Sequence, residues 1–345
     1  MTKKPSIYDI AKKLNITAST VSRALRRHSN VSADVIKEVH RVAKELNYHR
    51  NAVAVNLKQG HTRMIGVVIP QLNRQFFSSA INGIEEMASE EGYNVIICQT
   101  RNDVSQEKKA MQMLSQNVVD GMLVSVATDK SDYSHFRSLQ DRYMPMVFFD
   151  RYPLTDGFKR VCLDDFEASS HAVAHLASLG RRRIFHFSGH QDVSIWRERT
   201  RGYIEQMKRL KIDISSDWIF ENTLNHEAGI AAAEKMIADG NIPDALFSSS
   251  DHPLLGALFT FRKNGFRIPE DIALVGYGNE MFTAFTEPSL STVNQRSYEM
   301  GKAAFGQLLK MINGESIPDE IVLNHELIIR ESSTLNRDIS ESQNT

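Results

Sequence analysis

The chain has 345 residues, 41% of them hydrophobic and 24% charged, which is enough to bury a sizeable core and to form two or three domains. Residues 1–60 hold twelve basic and four acidic residues, a net charge of +8, whereas the remaining residues carry −9, so the basic segment favours a nucleic acid as its partner. No run approaches the roughly 18 apolar residues of a membrane span, and the N-terminus lacks the apolar region of a signal peptide, which predicts a cytoplasmic protein.

The first predicted elements are two short helices joined by a tight turn. In "IYDIAKKL" (7–14) the apolar residues lie at i, i+3, i+4 and i+7, and Ser6 precedes them as an N-cap. Thr17 is a second N-cap, and the apolar stripe after it runs from Ala18 to Leu25. The opposite face of the second helix carries hydroxyl and guanidinium donors. Such a pair indicates a helix-turn-helix.

A third helix is predicted to close a small core over this pair. Ser32 is its N-cap, and Val35, Val39, Val42 and Leu46 form its apolar stripe. A generic helical bundle with a solvated charged face would show the same periodicity. The excess of basic residues favours the DNA-binding interpretation.

Residues 51–62, "NAVAVNLKQGHT", hold too few apolar residues for a domain and are interpreted either as a flexible linker or as a hinge. Beyond them, short apolar runs alternate with amphipathic stretches, as in parallel sheets. The runs cover residues 64–70, 94–100, 121–126, 146–150, 183–189, 244–250 and 272–278. This rhythm predicts two doubly wound lobes with a ligand cleft at the strand ends.

No cofactor or metal site is predicted. Cys98 and Cys162 lie in strand-like runs without partners at metal-ligand spacing, which indicates reduced, packed thiols. His171 and His175 lack the glutamate of a zinc-binding helix, and "GYGNEM" lacks the third glycine of a dinucleotide fingerprint. No nucleophile turn of the GxSxG type occurs, so the sequence predicts that the protein is not an enzyme.

From Ser6 to about Leu335 the chain resembles the lactose and purine repressors. The resemblance lies in "IYDIAKKLNITASTVSRAL", "VSADVIKEVHRVAKELNYHRNAVAVNLK" and "MIGVVIP". It implies an N-terminal all-α helix-turn-helix domain followed by an α/β regulatory domain like a periplasmic binding protein, built of two doubly wound lobes. A repressor of this kind binds operator DNA as a homodimer and responds to a small-molecule effector.

The resemblance also implies domain boundaries. The expected parts are a helix-turn-helix domain at 1–50, a hinge helix or linker at 51–62, a two-lobed effector-binding and dimerisation domain at 63–335, and a disordered tail at 336–345. Within the two-lobed domain, lobe 1 is expected at about 63–160 and 294–320, and lobe 2 at about 161–293 and 321–335. The tail lacks leucine heptads, so assembly is expected to stop at the dimer.

DNA contacts follow from the same resemblance. The residues expected to read base edges are Thr17, Ala18, Ser19 and Arg23. The residues expected to hold phosphates are Ser22, Ser32, Tyr48 and Asn51, with Ser6 as a further DNA-binding position. Leu57 matches the hinge residue that inserts between base pairs from the minor groove and kinks the duplex, and Ala54 matches the small residue behind it.

An effector cleft is expected between the lobes. The residues at matching positions are Phe76, Phe77, Ser125, Asp150, Arg197, Arg199, Leu224, Ser250, Asp251 and Gly278. Asp150 and Arg199 are expected to grip a polyol together, one accepting and the other donating hydrogen bonds. Relatives usually carry two aspartates where this chain has Gly278 and Asn279. That loss predicts a more positive cleft and makes an acidic or phosphorylated sugar a candidate effector beside a neutral one.

The predicted function is therefore a transcriptional repressor of carbohydrate-utilisation genes that binds a palindromic operator and is switched by a sugar-like effector. A sugar-binding transport protein would explain only the two lobes, and would need a signal peptide. A regulator that responds to a purine or to a protein co-repressor is a further alternative. The basic N-terminal segment discriminates against the transport protein.

Overall fold

The computed structural model describes residues 5–25, 30–48, 61–116, 119–128 and 132–334. The chain separates into two compact units, Met1–Thr62 and Arg63–Thr345. In the described residues, no helix is both long and apolar enough to span a membrane.

The first unit contains the three helices that the periodicity predicts. They are α1 (Ile7–Leu14), α2 (Ala18–Leu25) and α3 (Ala33–Glu45). The Asp9 carboxylate accepts hydrogen bonds from the backbone N–H and the hydroxyl of Ser6, both at 2.7 Å, and so closes the start of α1. Asn15 ends α1 in the left-handed region, at φ 51°, and turns the chain into α2. The buried core consists of Ile10, Ala11, Val21, Ala24, Val39, Val42 and Ala43.

The second unit alternates strands and helices. Its strands are β1 (Met64–Ile69), β2 (Asn94–Gln99), β3 (Gly121–Val124), β4 (Met146–Phe149), β5 (Arg160–Leu163), β6 (Ile184–Phe187), β7 (Ile219–Phe220), β8 (Ala245–Ser248), β9 (Ala273–Tyr277), β10 (Ser291–Asn294), β11 (Glu320–Leu323) and β12 (Glu326–Ile328). Its helices are α4 (Gln75–Glu90), α5 (Val104–Ser115), α6 (Ser134–Gln140), α7 (Asp165–Ser178), α8 (Ser194–Arg209), α9 (His226–Ala238), α10 (Asp251–Lys263) and α11 (Ser297–Ile312). Each long apolar run of the sequence corresponds to one of these strands.

The strands form two sheets, one in each lobe. The first sheet has the order β11-β5-β4-β3-β1-β2 and is parallel throughout. The second has the order β12-β10-β9-β8-β6-β7, and only its edge strand β12 is antiparallel. The chain passes between the sheets after β5, after β10 and after β11. This is the doubly wound, two-lobed architecture that the sequence predicts.

Two chain crossings lie a few residues beyond the predicted lobe boundaries of 160 and 320. Strands β5 and β11 pair with each other in the first sheet, so the first lobe extends to Leu163 and Leu323. The sequence gives little indication of β11, because it is an edge strand in which exposed and half-buried residues alternate.

Close packing of α4 on α11 requires glycine at both helix surfaces. A Cβ atom at Gly83 would lie 2.2 Å from the Tyr298 carbonyl oxygen, and one at Gly301 would lie 2.0 Å from the Ala80 carbonyl oxygen. Since the obstructing atoms are backbone, an alanine at either position would push the helices apart. This contact joins α11 to the first lobe.

Candidate functional site

A cavity of about 430 Å³ lies between the two sheets of the second unit, where the strands end. Several lining residues, among them Asp150, Ser249 and Gly278, directly follow strands of the two lobes, which is where a doubly wound fold places ligands. Of the ten residues predicted for the effector cleft, seven line this cavity. They are Phe76, Phe77, Asp150, Arg199, Leu224, Ser250 and Gly278.

Asp150 supplies a buried carboxylate at the first-lobe side of the cavity. It directly follows β4, and its backbone is held in the left-handed region at φ 61°. The Ser125 hydroxyl donates to Asp150 Oδ2 at 3.2 Å, and Arg151 Nε lies 3.8 Å from the same oxygen. Burial raises the pKa of Asp150 to about 6, although Arg151 and Arg199 oppose the shift. The group therefore titrates close to physiological pH.

The Arg199 side chain donates three hydrogen bonds to protein groups, two of them in the second lobe and one directly after β10. Its Nε donates to Asp165 Oδ1 at 2.7 Å, its Nη1 to the Ser249 carbonyl oxygen at 2.9 Å and its Nη2 to Gln295 Oε1 at 3.0 Å. The guanidinium carbon lies 3.7 Å from the centroid of the Tyr277 ring. Arg199 therefore forms an ion pair with Asp165 while it lines the same cavity as Asp150, and these three hydrogen bonds use three of its five N–H groups.

Three predicted cleft residues do not line the cavity. Ser125 lies behind Asp150, and Asp251 lies behind Gly278, where its carboxylate accepts hydrogen bonds from the Thr292 hydroxyl and the Glu280 N–H. Burial raises the pKa of Asp251 to about 6. Arg197 donates to the Gln191 carbonyl oxygen at 3.1 Å. Ser125 and Asp251 therefore support residues of the cavity surface from behind, while Arg197 lies on another face of α8.

The cleft lining carries no net positive charge, although the loss of two aspartates predicts a shift in that direction. Asn279 faces Arg330, whose Nη2 donates to its Oδ1 at 2.9 Å, but Glu280, one residue further, returns a carboxylate to the lining. The charged lining residues, apart from His190, are Arg74, Arg151 and Arg199 against Asp150, Asp192 and Glu280. The three positive and three negative charges cancel, which removes the physical reason for preferring an anionic ligand.

Sequence reasoning missed several lining residues, above all Trp196 and Arg151. The Arg151 guanidinium carbon lies 5.0 Å from the Trp196 ring centroid, and its Nη1 donates to Asn102 Oδ1 at 2.8 Å. Trp196 is one of only two tryptophans in the chain, and Arg151 is adjacent to Asp150, so both could have been suspected. No feature of the sequence marks Glu280 as a lining residue.

Two hydrogen bonds cross the rim of the cleft from the start of α4 to the second lobe. Arg74 Nη2 donates to the Leu224 carbonyl oxygen at 3.4 Å. The backbone N–H of Met281 donates to Gln75 Oε1 at 2.6 Å. Protein atoms alone therefore hold the lobes together at this edge.

In the first unit, the predicted DNA-reading residues lie on and around α2. Thr17, Ser19 and Arg23 are exposed, and Thr17 Oγ1 accepts the Thr20 N–H at 3.2 Å as a helix cap. Ala18 is half-buried and packs on the core, as does Tyr48.

Other predicted phosphate-holding residues lie near helix starts or on α2. Ser6 and Ser32 precede α1 and α3, and Ser22 is half-buried on α2. Asn51, Ala54 and Leu57 lie outside the described residues.

A helix-turn-helix unit combined with a two-lobed unit that encloses a ligand-sized cleft defines a ligand-responsive DNA-binding regulator. Residues 6–51 match the family described as bacterial regulatory proteins, lacI family, and residues 173–333 match a periplasmic binding protein-like domain. The chain belongs to the lacI family, whose members are transcriptional regulators and not enzymes, and it is a DNA-binding transcriptional repressor of that family.

The relatives support this assignment over nearly the whole chain, and solved structures share its fold. The chain is 31% identical over 332 residues to the HTH-type transcriptional repressor PurR of Pasteurella multocida, covering 95% of this chain and 98% of that one. The structure of the lac repressor dimer bound to operator and an anti-inducer is similar, with a TM-score of 0.86, 24% identity and coverage of 96% and 100%. The complex of the regulator CelR with cellobiose has a TM-score of 0.72, 27% identity and coverage of 95% and 99%.

Proposed function

We propose that this repressor binds a palindromic operator as a dimer, controls carbohydrate-utilisation genes and changes its operator affinity when a neutral sugar binds between its lobes. The carrying observation is the cleft itself, a cavity of about 430 Å³ with balanced charge and with polar groups from both lobes. Asp150 can accept hydrogen bonds from ligand hydroxyls, and Arg199 and Gln295 can donate them. Such paired acceptors and donors suit a polyol.

The coupling to DNA follows from the position of the cleft. A ligand that touches Asp150 and Arg199 contacts both lobes and favours one degree of closure over another. If the operator also favours one closure, linkage makes the two affinities depend on each other, typically by about 1 to 3 kcal/mol.

A purine effector is the second candidate, because the relatives named PurR are purine-type repressors by name. Phe76 and Phe77 also provide aromatic surface at the cleft. However, their ring centroids are 5.1 Å apart and the ring planes meet at 89°, so the edge of one ring faces the other and the two rings do not form a parallel slot. Phe76 and Phe77 therefore cannot hold a flat base between them, and a purine would have to stack on one of these rings or on the other aromatic lining residues, Trp196 and Tyr277.

One titration distinguishes these candidates. Neutral sugars, uronic acids, sugar phosphates and purine bases are added singly to the repressor–operator complex, and operator dissociation or tightening is followed by fluorescence anisotropy. A response to neutral sugars supports the proposal. A response to purines only, or to none of the compounds, contradicts it.

Replacing Arg23 by alanine is expected to weaken operator binding by about 1 to 3 kcal/mol per half-site and to relax base preference at one position. Arg23 is exposed on α2, where a recognition helix meets the major groove. Binding to a library of operator variants measures both effects. Lys12→Ala, on exposed α1, is the control and should lower affinity for all sequences alike. Unchanged preference in Arg23→Ala would remove this residue from base reading.

An exposed apolar surface on the second lobe is the proposed dimer contact. Phe259 on α10 is 53% exposed, and Phe285, after the turn at Met281–Ala284, is 81% exposed. The ring of His252, on the same face of α10 as Phe259, lies 5.3 Å from that of Phe282, which links the two parts. Large exposed aromatics grouped in this way favour burial against a second copy.

Phe285→Glu is expected to raise the dimer dissociation constant about 30-fold or more, the effect of losing an interface anchor of about 2 kcal/mol. Sedimentation velocity over a concentration series measures it. Tyr143→Glu makes a similar change at a residue 93% exposed in the first lobe and should leave assembly unaltered. A Phe285→Glu protein that remains as dimeric as the wild type would place the interface elsewhere, and a stable wild-type tetramer would contradict the dimer.

The affinity for a neutral sugar is expected to fall about tenfold between pH 7 and pH 5. Because the pKa of Asp150 is raised to about 6, its carboxylate is ionised and accepts ligand hydroxyls above that pH, and protonation removes this acceptor as the pH falls through 6. Calorimetric titration of the responding sugar at several pH values checks this. Asp150→Asn should bind more weakly at pH 7 and show no such slope. A slope that persists in the variant would contradict the assignment to Asp150.

A further inference from the structure

The carboxylate bonded directly to Arg199 belongs to a residue outside the cleft lining. Asp165 is the first residue of α7, and its carboxylate lies on the far side of Arg199, with 10% of the side chain exposed. Its Oδ1 accepts hydrogen bonds from Arg199 Nε and from the Tyr277 hydroxyl, each at 2.7 Å. One carboxylate oxygen therefore fixes both groups that form the base of the cavity.

This arrangement determines how much positive charge a ligand can meet. Arg199 is only 4% exposed, so water screens its charge poorly, and the nearest opposite charge has the largest influence on it. Burial opposes the charged form of Arg199, but the adjacent Asp165 keeps the pKa of the guanidinium above its ordinary value. Arg199 remains a hydrogen-bond donor at the cavity surface, while its charge is balanced from behind.

We propose that Asp165 is a specificity-determining residue that sets the charge class of the effector: it lets the cleft bind neutral ligands and disfavours anionic ones. The inference rests on the proposed function, because it takes the cavity as the effector site. It goes beyond that function by assigning the selection to a residue that need not touch the ligand.

The substitution Asp165→Asn isolates charge from shape. Asparagine Oδ1 can accept the same two hydrogen bonds from Arg199 and Tyr277, so the base of the cavity keeps its geometry. Only the negative charge is removed. Arg199 then loses its directly bonded carboxylate and keeps only the more distant charge of Asp150, so an anion in the cleft becomes a more favourable counter-charge than in the wild type.

The test compares wild type, Asp165→Asn and the control Glu205→Gln. Glu205 lies on the same helix as Arg199 but pairs with Lys208 at the surface, so its substitution makes an equal change in net charge outside the cleft. The probes are glucose with glucuronate, galactose with galacturonate, and inorganic phosphate, each titrated calorimetrically. For Asp165→Asn we expect the affinity ratio of anionic to neutral probe to rise about tenfold or more, and phosphate affinity to rise likewise. Glu205→Gln should match wild type.

Further measurements keep this result separate from the proposed function. If no neutral sugar binds wild type, the carbohydrate proposal fails, while the gain of phosphate or uronate binding in Asp165→Asn still decides the role of Asp165. The double variant Asp165→Asn/Arg199→Gln should lose that gain, because it removes the cation. If Asp165→Asn is unstable, its melting temperature should rise more in phosphate than in chloride, and by more than that of the control. An anion preference equal to that of Glu205→Gln, or wild-type phosphate binding as tight as that of Asp165→Asn, overturns the inference.

Discussion

Val42→Asp is expected to abolish operator binding while the second unit keeps its fold. Val42 is fully buried in α3, in a core made of only a few small and medium apolar side chains of the first unit. A buried carboxylate without a partner costs several kcal/mol, which is comparable with the whole stability of so small a unit. Hydrogen exchange should therefore show loss of protection in α1, α2 and α3, and fluorescence anisotropy should show no operator binding.

The matched control for this experiment is His40→Asp. His40 lies on the exposed side of the same helix, and its substitution makes the same formal charge change without entering the core. Operator affinity should fall only modestly in this variant, through the added negative charge. Operator binding by Val42→Asp at nearly wild-type strength would mean that the core of α1–α3 is not needed for DNA recognition.

Arg199→Ala is expected to abolish the effector response and to lower the free energy of unfolding of the second unit by about 3 to 5 kcal/mol. Removing one partner of a buried pair leaves Asp165 uncompensated and takes a hydrogen bond from the Ser249 carbonyl and from Gln295. The sequence alone predicts only the loss of the effector response, because Arg199 is a predicted cleft residue that lies far along the chain from every predicted DNA contact. Urea denaturation measures the fall in the free energy of unfolding.

Lys208→Ala is the control for stability, because Lys208 is on the same helix but 63% exposed, in a surface pair with Glu205. Such pairs contribute at most about 1 kcal/mol, so its unfolding curve should nearly overlay that of wild type. If Arg199→Ala unfolds at the same urea concentration as this control, the Arg199–Asp165 pair is not a structural contact of the kind described.

Much of the architecture follows from local pattern. The helical stripes of α1 to α3 and the apolar runs of the central strands are direct consequences of burial on one face or on both. The cleft could be located as well, because residues that follow parallel strands, such as Asp150 and Ser250, converge at one edge of each sheet. Pattern reasoning succeeds where the fold repeats a simple geometric rule.

Two features of the cleft differ from the prediction: Arg197 does not line the cavity, and Arg199 pairs with a residue that the sequence did not suggest. Their physical causes differ. Arg197 and Arg199 are two residues apart on α8, which separates their side chains by about 200° around the helix axis, so only one of them can face the cavity. The exclusion of Arg197 could therefore have been predicted from the sequence. The pairing of Arg199 with Asp165 could not be predicted, because it depends on how α7 packs against α8, which no local pattern encodes.

The segment after β9 shows why the loss of an acidic motif residue is weak evidence about the net charge of a cleft. Gly278 stands where relatives carry an aspartate, but Glu280 lines the same cavity. The turn after β9 places Glu280 in the cavity lining and directs Asn279 towards Arg330. An acidic group two positions after Gly278 therefore still lines the cavity. The net charge of a site depends on the turn geometry, and a residue-by-residue carry-over from relatives misses it.

The two hydrogen bonds across the rim, from Arg74 and to Gln75, have a consequence for the sensitivity of the switch. The apparent affinity of an effector that prefers the closed form is its intrinsic affinity multiplied by the fraction of molecules already closed. Strong rim bonds raise that fraction, so less effector is needed, but the effector then changes the closed population less. Weak rim bonds lower the closed fraction, so more effector is needed, but its binding then changes the closed population more. A substitution at Gln75, which does not line the cavity, could therefore shift the concentration range over which a gene responds while the lining residues stay the same.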